Sequence, residues 1–350
     1  MNENKYSSII GRVINRMYDL KTVYETDVHV GTNYMDLWEW PQGVGLFGLY
    51  LYYKETGEKK YFDMIVDYFE KHIKKGLPVK NVNTMCPMLT LTYVYEETNN
   101  EKYLALCKEW LAYVMYEMPR TEENGIQHIT TADENFQQLW DDTLYMTVLF
   151  VARMGVLLED DTCIQESIRQ FLVHLKYLTD TRTGLFFHGW TFDGNHHFAN
   201  ALWARGNAWY TAGLVDYLEI CAVPDGVKQF LLTSLQRQVK KLAELQLANG
   251  MWTTLLDDPT SYPEASATAA FAYGILKGVR CGYLDKRYRE TGLKALDGVI
   301  SCIAADGTVN QVSYGTGMGN TLEDYKKIPI TPQLYGQSMT MLLLSEAMKT

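Results

Sequence analysis

Two adjacent acids, Asp141 and Asp142, stand behind Trp140 in the stretch QLWDDTLYMTVLFVARM, which runs from Gln138 to Met154. The residues that follow, Leu144, Tyr145, Val148, Leu149 and Ala152, are spaced as the buried face of a helix. An Asp at such a point ordinarily caps the helix, its carboxylate accepting free N–H groups of the first turn. That accounts for one acid. The other sits beside an indole that can wall a sugar ring, which suits an acid/base group. Burial raises a carboxyl pKa and donor N–H groups lower it, so such a site can be tuned either way. Two caps on a buried helix is the plainer reading, and the local residues alone favour it.

Other chemistries find less support. His188, His196 and His197 form no HxH or HExxH pattern, and adjacent imidazoles usually point apart, so no metal is expected. Gly43-Val44-Gly45-Leu46-Phe47-Gly48 has GxGxxG spacing, but it opens an apolar helix with no strand before it. Close helix packing explains it better than a phosphate cradle. There is no GxSxG elbow and no Cys/His pair at a plausible site, so acyl transfer is not expected. No cofactor is called for.

Twelve helical stretches can position these residues: 4–20, 42–56, 59–74, 84–98, 100–117, 140–158, 161–178, 203–222, 225–248, 263–280, 284–302 and 332–349. Short turns alternate with long links at 21–41, 75–83, 118–139, 179–202, 249–262 and 303–331. Such alternation implies helical hairpins whose long loops share one rim. The run from Tyr53 to Phe62 resembles that from Tyr95 to Leu104, 42 residues on. Four long loops echo one another at Gly125, Gly184, Gly250 and Gly307, each followed by a short, strand-like segment. Six hairpins closed on themselves make an all-α double ring, an (α/α)6 barrel. An open solenoid is the alternative, but the last helix, LYGQSMTMLLLSEAM, has no polar capping face. On this reading residues 1–350 are a single domain. The rim then collects Tyr34, Asp36, Trp38, Glu39 and Trp40, then Asn81 and Asn83, then His128, and then His188, Trp203, Arg205, Asn207 and Trp209.

Composition narrows the partners. The chain has 350 residues, 47% of them hydrophobic, and a formal net charge of −10, which argues against nucleic acid or a membrane surface. An anionic small substrate needs only a local cationic pocket. No signal peptide, no 18-residue apolar run and no CxxC is seen, so a cytoplasmic protein with buried free thiols is expected. It would be a monomer or a small homo-oligomer. The 25 Tyr and 8 Trp are a surplus that suits a carbohydrate cleft.

Trp140-Asp141-Asp142-Thr143-Leu144-Tyr145-Met146 resembles the W-x-D-[TG]-L-[YF]-M motif of the unsaturated uronyl hydrolases, glycoside hydrolase families 88 and 105. Trp203-Ala204-Arg205-Gly206-Asn207-Ala208-Trp209 is similar to their second signature, with Asn207 as in the rhamnogalacturonyl enzymes of family 105. The resemblance implies an (α/α)6 barrel. The implied substrate is an oligosaccharide ending in a 4,5-unsaturated uronic acid, whose enol-ether double bond is hydrated. It assigns Asp142 as general acid/base, with Asp141 as a cap or as a neighbour raising the Asp142 pKa. A single working carboxyl suffices, unlike the carboxyl pairs of ordinary glycosidases.

Substrate-binding roles are expected for Arg205, whose planar fork matches a carboxylate, and for Trp140, Trp203 and Trp209 as stacking walls. An ion pair with a nearby acid is the alternative for Arg205. His188 and His128 would bind hydroxyls, and Asn207, Asn83, Tyr34 and Trp38 complete the expected set. Two departures from the family pattern suggest a divergent specificity. Asn81-Val82-Asn83 replaces an N-x-D segment, so the assisting carboxylate is either missing or supplied elsewhere, with Asp36 and Glu39 the candidates, and His128-Ile129 replaces a His-Lys. A conventional glycosidase using Asp142 and a loop acid is the second reading, and a non-catalytic helical-repeat binding protein the third.

Overall fold

The computed structural model describes residues 3–20 and 34–350; the link at 21–33 lies outside the described residues. The twelve expected helices are all present. In chain order they are α1 (Glu3–Asp19), α2 (Trp40–Thr56), α3 (Lys59–Lys75), α4 (Cys86–Thr98), α5 (Glu101–Tyr116) and α6 (Leu149–Leu158). There follow α7 (Asp161–Leu178), α8 (Ala204–Ile220), α9 (Asp225–Leu245), α10 (Ala265–Arg280) and α11 (Tyr288–Ser301). A short α12 (Leu322–Lys326) precedes the last, α13 (Leu334–Ala347).

The ring closes. Helix α2 packs on α4, α4 on α6, α6 on α8, α8 on α10, α10 on α13, and α13 back on α2. An outer layer backs each: α3 behind α2, α5 behind α4, α7 behind α6, α9 behind α8, α11 behind α10 and α1 behind α13. This is an all-α (α/α)6 barrel. Sequence decides which helix goes where. In α8 every residue from Ala204 to Tyr217 is buried, and α13 is buried along its whole length. Helices apolar all round belong inside a ring. Helix α3 buries only Tyr61, Ile65, Tyr68, Phe69 and His72, one stripe, and belongs outside. The glycines of α2 serve close packing: a Cβ on Gly43 would come within 2.6 Å of Cys86, and one on Gly45 within 2.9 Å of Ser338.

The short turns close as expected, with left-handed Gly57 and Asn99 ending α2 and α4. The long links all lead into the N-terminal ends of inner helices. Their glycines open brief ladders. Gly184, Gly250 and Gly307 have φ of 80°, 86° and 92°. Bridges follow at Thr179–Phe186 and Ile303–Val309, and β3 (Trp252–Thr253) pairs with β4 (Pro263–Glu264). A further antiparallel pair joins β1 (Gln138–Trp140) to β2 (Gly189–Thr191), with Trp140 opposite Gly189.

That pair corrects the expectation of a helix from residue 140. Trp140 is the last residue of β1, and the chain then makes a wide π-helical turn at Leu144–Val148 before α6. Thr147 Oγ1 donates to the Val82 carbonyl at 3.1 Å, fixing that turn to the neighbouring loop. Neither Asp141 nor Asp142 supplies a cap: the turn's N-cap is Thr143, with no side-chain cap bond. A π turn lets one helix start carry residues that a regular α-helix would aim elsewhere.

Candidate active site

A cavity of about 380 Å³ opens at the rim where the inner helices begin. Trp40, Asn83, His128, Trp140, Asp142, Trp203 and Arg205 line it, with loop residues Asp133, Asn135, Thr316 and Met318 among its walls. Several inner-helix N-termini face this rim, and their aligned peptide dipoles favour an anionic ligand despite the negative net charge.

The β1–β2 ladder builds the centre. It carries the third rim loop against the fourth, and the Asp141 N–H donates to the His188 carbonyl at 3.1 Å. The two carboxyls and the His188 imidazole then lie within 4.8 Å of one another. Asp142 keeps 17% of its side chain accessible, whereas Asp141 is fully buried, so only Asp142 can meet a ligand. Burial and the charge of Asp142 push the Asp141 carboxyl well above its ordinary range. Burial acts on Asp142 in the same direction, but the polar neighbours packed against it, His188 first and then His128 and the Asp141 carboxyl, outweigh it. The result is a carboxylate held below its usual range. The pair is thus split, with Asp141 pushed up and Asp142 held down, where the sequence offers Asp141 as a neighbour raising Asp142. This trio is the one metal-like cluster among the described residues. His196 and His197 turn elsewhere, to the Phe198 N–H and the Tyr177 carbonyl.

Gly206 explains why the two signatures occur together. A Cβ at that position would overlap the Asp141 carboxylate, so the first turn of α8 can hold the buried acid only if it carries glycine there. The second signature is thus the seat of the first.

Burial pushes His128 down to about 4 and lowers His188 as well. His128 stacks on Trp140 with ring centroids 4.3 Å apart and planes 6° apart, and its Nδ1 lies 2.8 Å from Thr143 Oγ1. It braces the indole. Trp140 also donates its N–H to Gln138 Oε1 at 2.9 Å, which fixes the ring at the cavity wall.

Arg205 lines the cavity, but its fork has another use. Nη1 donates to Ser313 O at 3.2 Å and Oγ at 2.6 Å; Nη2 donates to Tyr314 O at 3.3 Å and Thr316 Oγ1 at 2.9 Å. The guanidinium lies between the Trp203 and Tyr335 rings, at 4.6 and 4.7 Å, with Glu264 Oε1 at 4.0 Å. It clamps the last rim loop and lends the cavity positive charge, in place of a free bidentate pair. The nearby-acid alternative is partly met by Glu264.

Other expected residues lie outside the cavity. Asn207 is fully buried, exchanging bonds with the Phe186 backbone at 2.7 Å each way, because that loop needs both partners. Trp209 packs against Trp40 and Tyr145 in the core. Trp38 sits among Tyr68, Phe69, His72 and Trp110, its N–H donated to the Thr84 carbonyl. Tyr34 is 41% exposed and gives its carbonyl to Gln42. Asn83 does line the cavity, in a turn whose Asn81 Oδ1 accepts the Asn83 and Thr84 N–H groups. Of the candidate assisting acids, Asp36 is exposed and paired with Lys71, while Glu39 caps α2 and is pushed up to about 7, chiefly by burial.

Trp40, on the rim by sequence but with no binding role expected of it, is a wall of the cavity. The sequence places Tyr314 and Gly315 of the last loop on the rim without giving that loop a role in the site, and it does not single out Tyr325. The signals for Met318 and Tyr325 are glycines: a Cβ at Gly189 would run into Met318, and one at Gly319 into the Tyr325 ring.

Comparison with known proteins agrees with this architecture. The sequence profile described as Glycosyl Hydrolase Family 88 matches residues 11–350. The chain is 29% identical over 351 residues to "Unsaturated rhamnogalacturonyl hydrolase YesR" of Bacillus subtilis, covering 99% of this chain and 96% of that one. A solved Klebsiella pneumoniae structure, described as a possible member of the GH105 family, is 44% identical with a TM-score of 0.95. It covers 99% of this chain and 93% of its own. The unsaturated glucuronyl hydrolase of Bacillus sp. GL1 shares the fold, with a TM-score of 0.72 at 17% identity over 98% of this chain and 95% of its own.

Proposed function

The chain belongs to glycosyl hydrolase family 88, and from that premise we propose that it removes a 4,5-unsaturated uronic acid from the end of an oligosaccharide, with Asp142 as general acid/base. It is a glycoside hydrolase, and its relative YesR is named an unsaturated rhamnogalacturonyl hydrolase. The observation that carries the reading is the single cavity-facing carboxyl of the buried pair, Asp142, set between the Trp140 wall and His188.

In the proposed reaction the protonated Asp142 gives its proton to C4, and the enol-ether double bond supplies the electrons. Positive charge develops at C5 and on the ring oxygen. Water adds at C5 and returns its proton to Asp142. The hemiketal at C5 then opens, leaving a hemiacetal at C1 that collapses and releases the sugar alcohol. No second carboxyl need attack the anomeric carbon. Trp140 offers a stacking face, and Arg205 offers charge toward the uronate. Asp142 is ionised in the free protein, so the bound uronate has to raise its pKa by adding a like charge and excluding water. All of 1–350 is read as one such unit, placed in the reducing cytoplasm on the strength of six free cysteines. No described helix is long and apolar enough to cross a membrane.

The test is cleavage of lyase-generated unsaturated disaccharides against their saturated counterparts. Loss of the conjugated ultraviolet absorbance should keep pace with release of the second sugar, and saturated uronides should remain intact. Equal cleavage of both would support the conventional glycosidase.

Asn83 makes the proposal pH-sensitive. Activity that needs protonated Asp142 falls as pH rises through its pKa in the complex. Asn83→Asp adds a negative charge to the same cavity and raises that pKa. The alkaline limb of the kcat profile should therefore move upward, by about one pH unit or less. A limb that stays in place or moves down would separate position 83 from the acid.

A further inference from the structure

We propose that Tyr325 is a positioning residue that fixes the tautomer of His188, so that His188 turns an N–H and not a lone pair toward Asp142. The inference deepens the reading above and relies on it for its kinetic arm. Tyr325 stands on α12, far along the chain, and is 1% exposed. Its hydroxyl oxygen lies 2.7 Å from His188 Nδ1. The same oxygen accepts the Gly319 N–H at 3.2 Å. Its other neighbour is Met318 Sδ, at 3.7 Å.

A tyrosine hydroxyl has one proton to give. Gly319 N–H can only donate, so it occupies a lone pair. The proton goes to the imidazole nitrogen at 2.7 Å in preference to a thioether, a weak acceptor, a full 1.0 Å farther away. Nδ1 is then the acceptor nitrogen, and the proton of the neutral ring sits on Nε2. The other side of the ring makes the same choice. Nε2 lies 3.6 Å from Asp142 Oδ2, and neither atom has another hydrogen-bond partner. With the proton on Nδ1, two buried acceptors would face each other, which is costly. With the proton on Nε2, an N–H points at a carboxylate and holds it, leaving Oδ1 for the substrate.

The device also couples the last rim loop to the centre. Gly319 holds the Tyr325 hydroxyl, and a Cβ at 319 would run into the Tyr325 ring. Arg205 clamps the same loop a few residues earlier, through Ser313, Tyr314 and Thr316. The loop thus contributes to the site without placing an acid there.

The experiment uses the full chain labelled with 15N-histidine and two-bond 1H–15N correlation near neutral pH, with Tyr325→Phe beside the wild type. In the wild type, His188 should show a protonated Nε2 and an unprotonated Nδ1. In Tyr325→Phe that pattern should give way to mixed tautomers or an imidazolium. On unsaturated disaccharide the variant should lose roughly 10- to 100-fold in kcat with a much smaller change in KM. A wild-type His188 protonated at Nδ1 overturns the proposal, as does an unchanged tautomer in Tyr325→Phe. The spectra need no substrate, so a protein inactive on unsaturated uronides would sink the functional reading and leave this test standing.

Discussion

Asp142→Asn is expected to lower kcat on an unsaturated uronyl disaccharide by roughly 10³- to 10⁴-fold, with KM within a few-fold of the parent. The amide keeps the shape of the carboxyl beside His188 but has no proton to give to C4 and none to recover from water. Asp141→Asn should cost far less. Asp141 is buried and its carboxyl is pushed up toward the protonated form, which a neutral amide copies in shape and charge. Steady-state kinetics of the two variants side by side check the assignment. Comparable losses would mean that the transferable proton resides on the pair as a unit.

Gly206→Ala should damage the centre out of proportion to its size. The added methyl would occupy the space of the Asp141 carboxylate, which has no room to retreat among buried residues. Overpacking of this kind costs about 1–3 kcal/mol. Activity should fall by more than stability, because displacing Asp141 also moves Asp142 and the N–H that ties both to His188. Roughly 10²-fold in kcat is expected, as for other small misplacements of catalytic groups. Thermal unfolding with Asp141→Ala as a second mutation tests the cause. Removing the carboxylate opens the space, so the cost of Gly206→Ala should shrink in that background. Strictly additive costs would place the clash elsewhere.

The fold was legible because the pattern is redundant. Alternating short and long links, helices apolar all round beside helices apolar on one stripe, and glycines opening each rim loop all point to one closed ring. The centre was legible as a pair of signatures, though not in its details. Asp141 read as a cap because caps are the commonest use of such an Asp. Its true surroundings, the α8 turn and the His188 carbonyl, come from 47 and more residues away. Arg205 read as a free fork because its partners, Ser313 to Thr316, lie over a hundred residues downstream. Trp38, Asn207 and Trp209 carry chemistry-bearing side chains on rim segments, but each faces inward, and period-3.6 reasoning does not fix the facing of residues in loops and first turns. Tyr325 left only an indirect trace, Gly319, whose missing Cβ makes room for the ring.

The central claim is that water adds to C5 of the uronic acid and not to its anomeric carbon. Single-turnover cleavage in heavy-oxygen water, quenched at once into borohydride, locks the newly formed carbonyl groups before they exchange. Mass-spectrometric fragmentation then locates the oxygen. The account predicts label at C5, with C1 keeping its original ring oxygen. Label at C1, with the double bond surviving in the released acid, would contradict it.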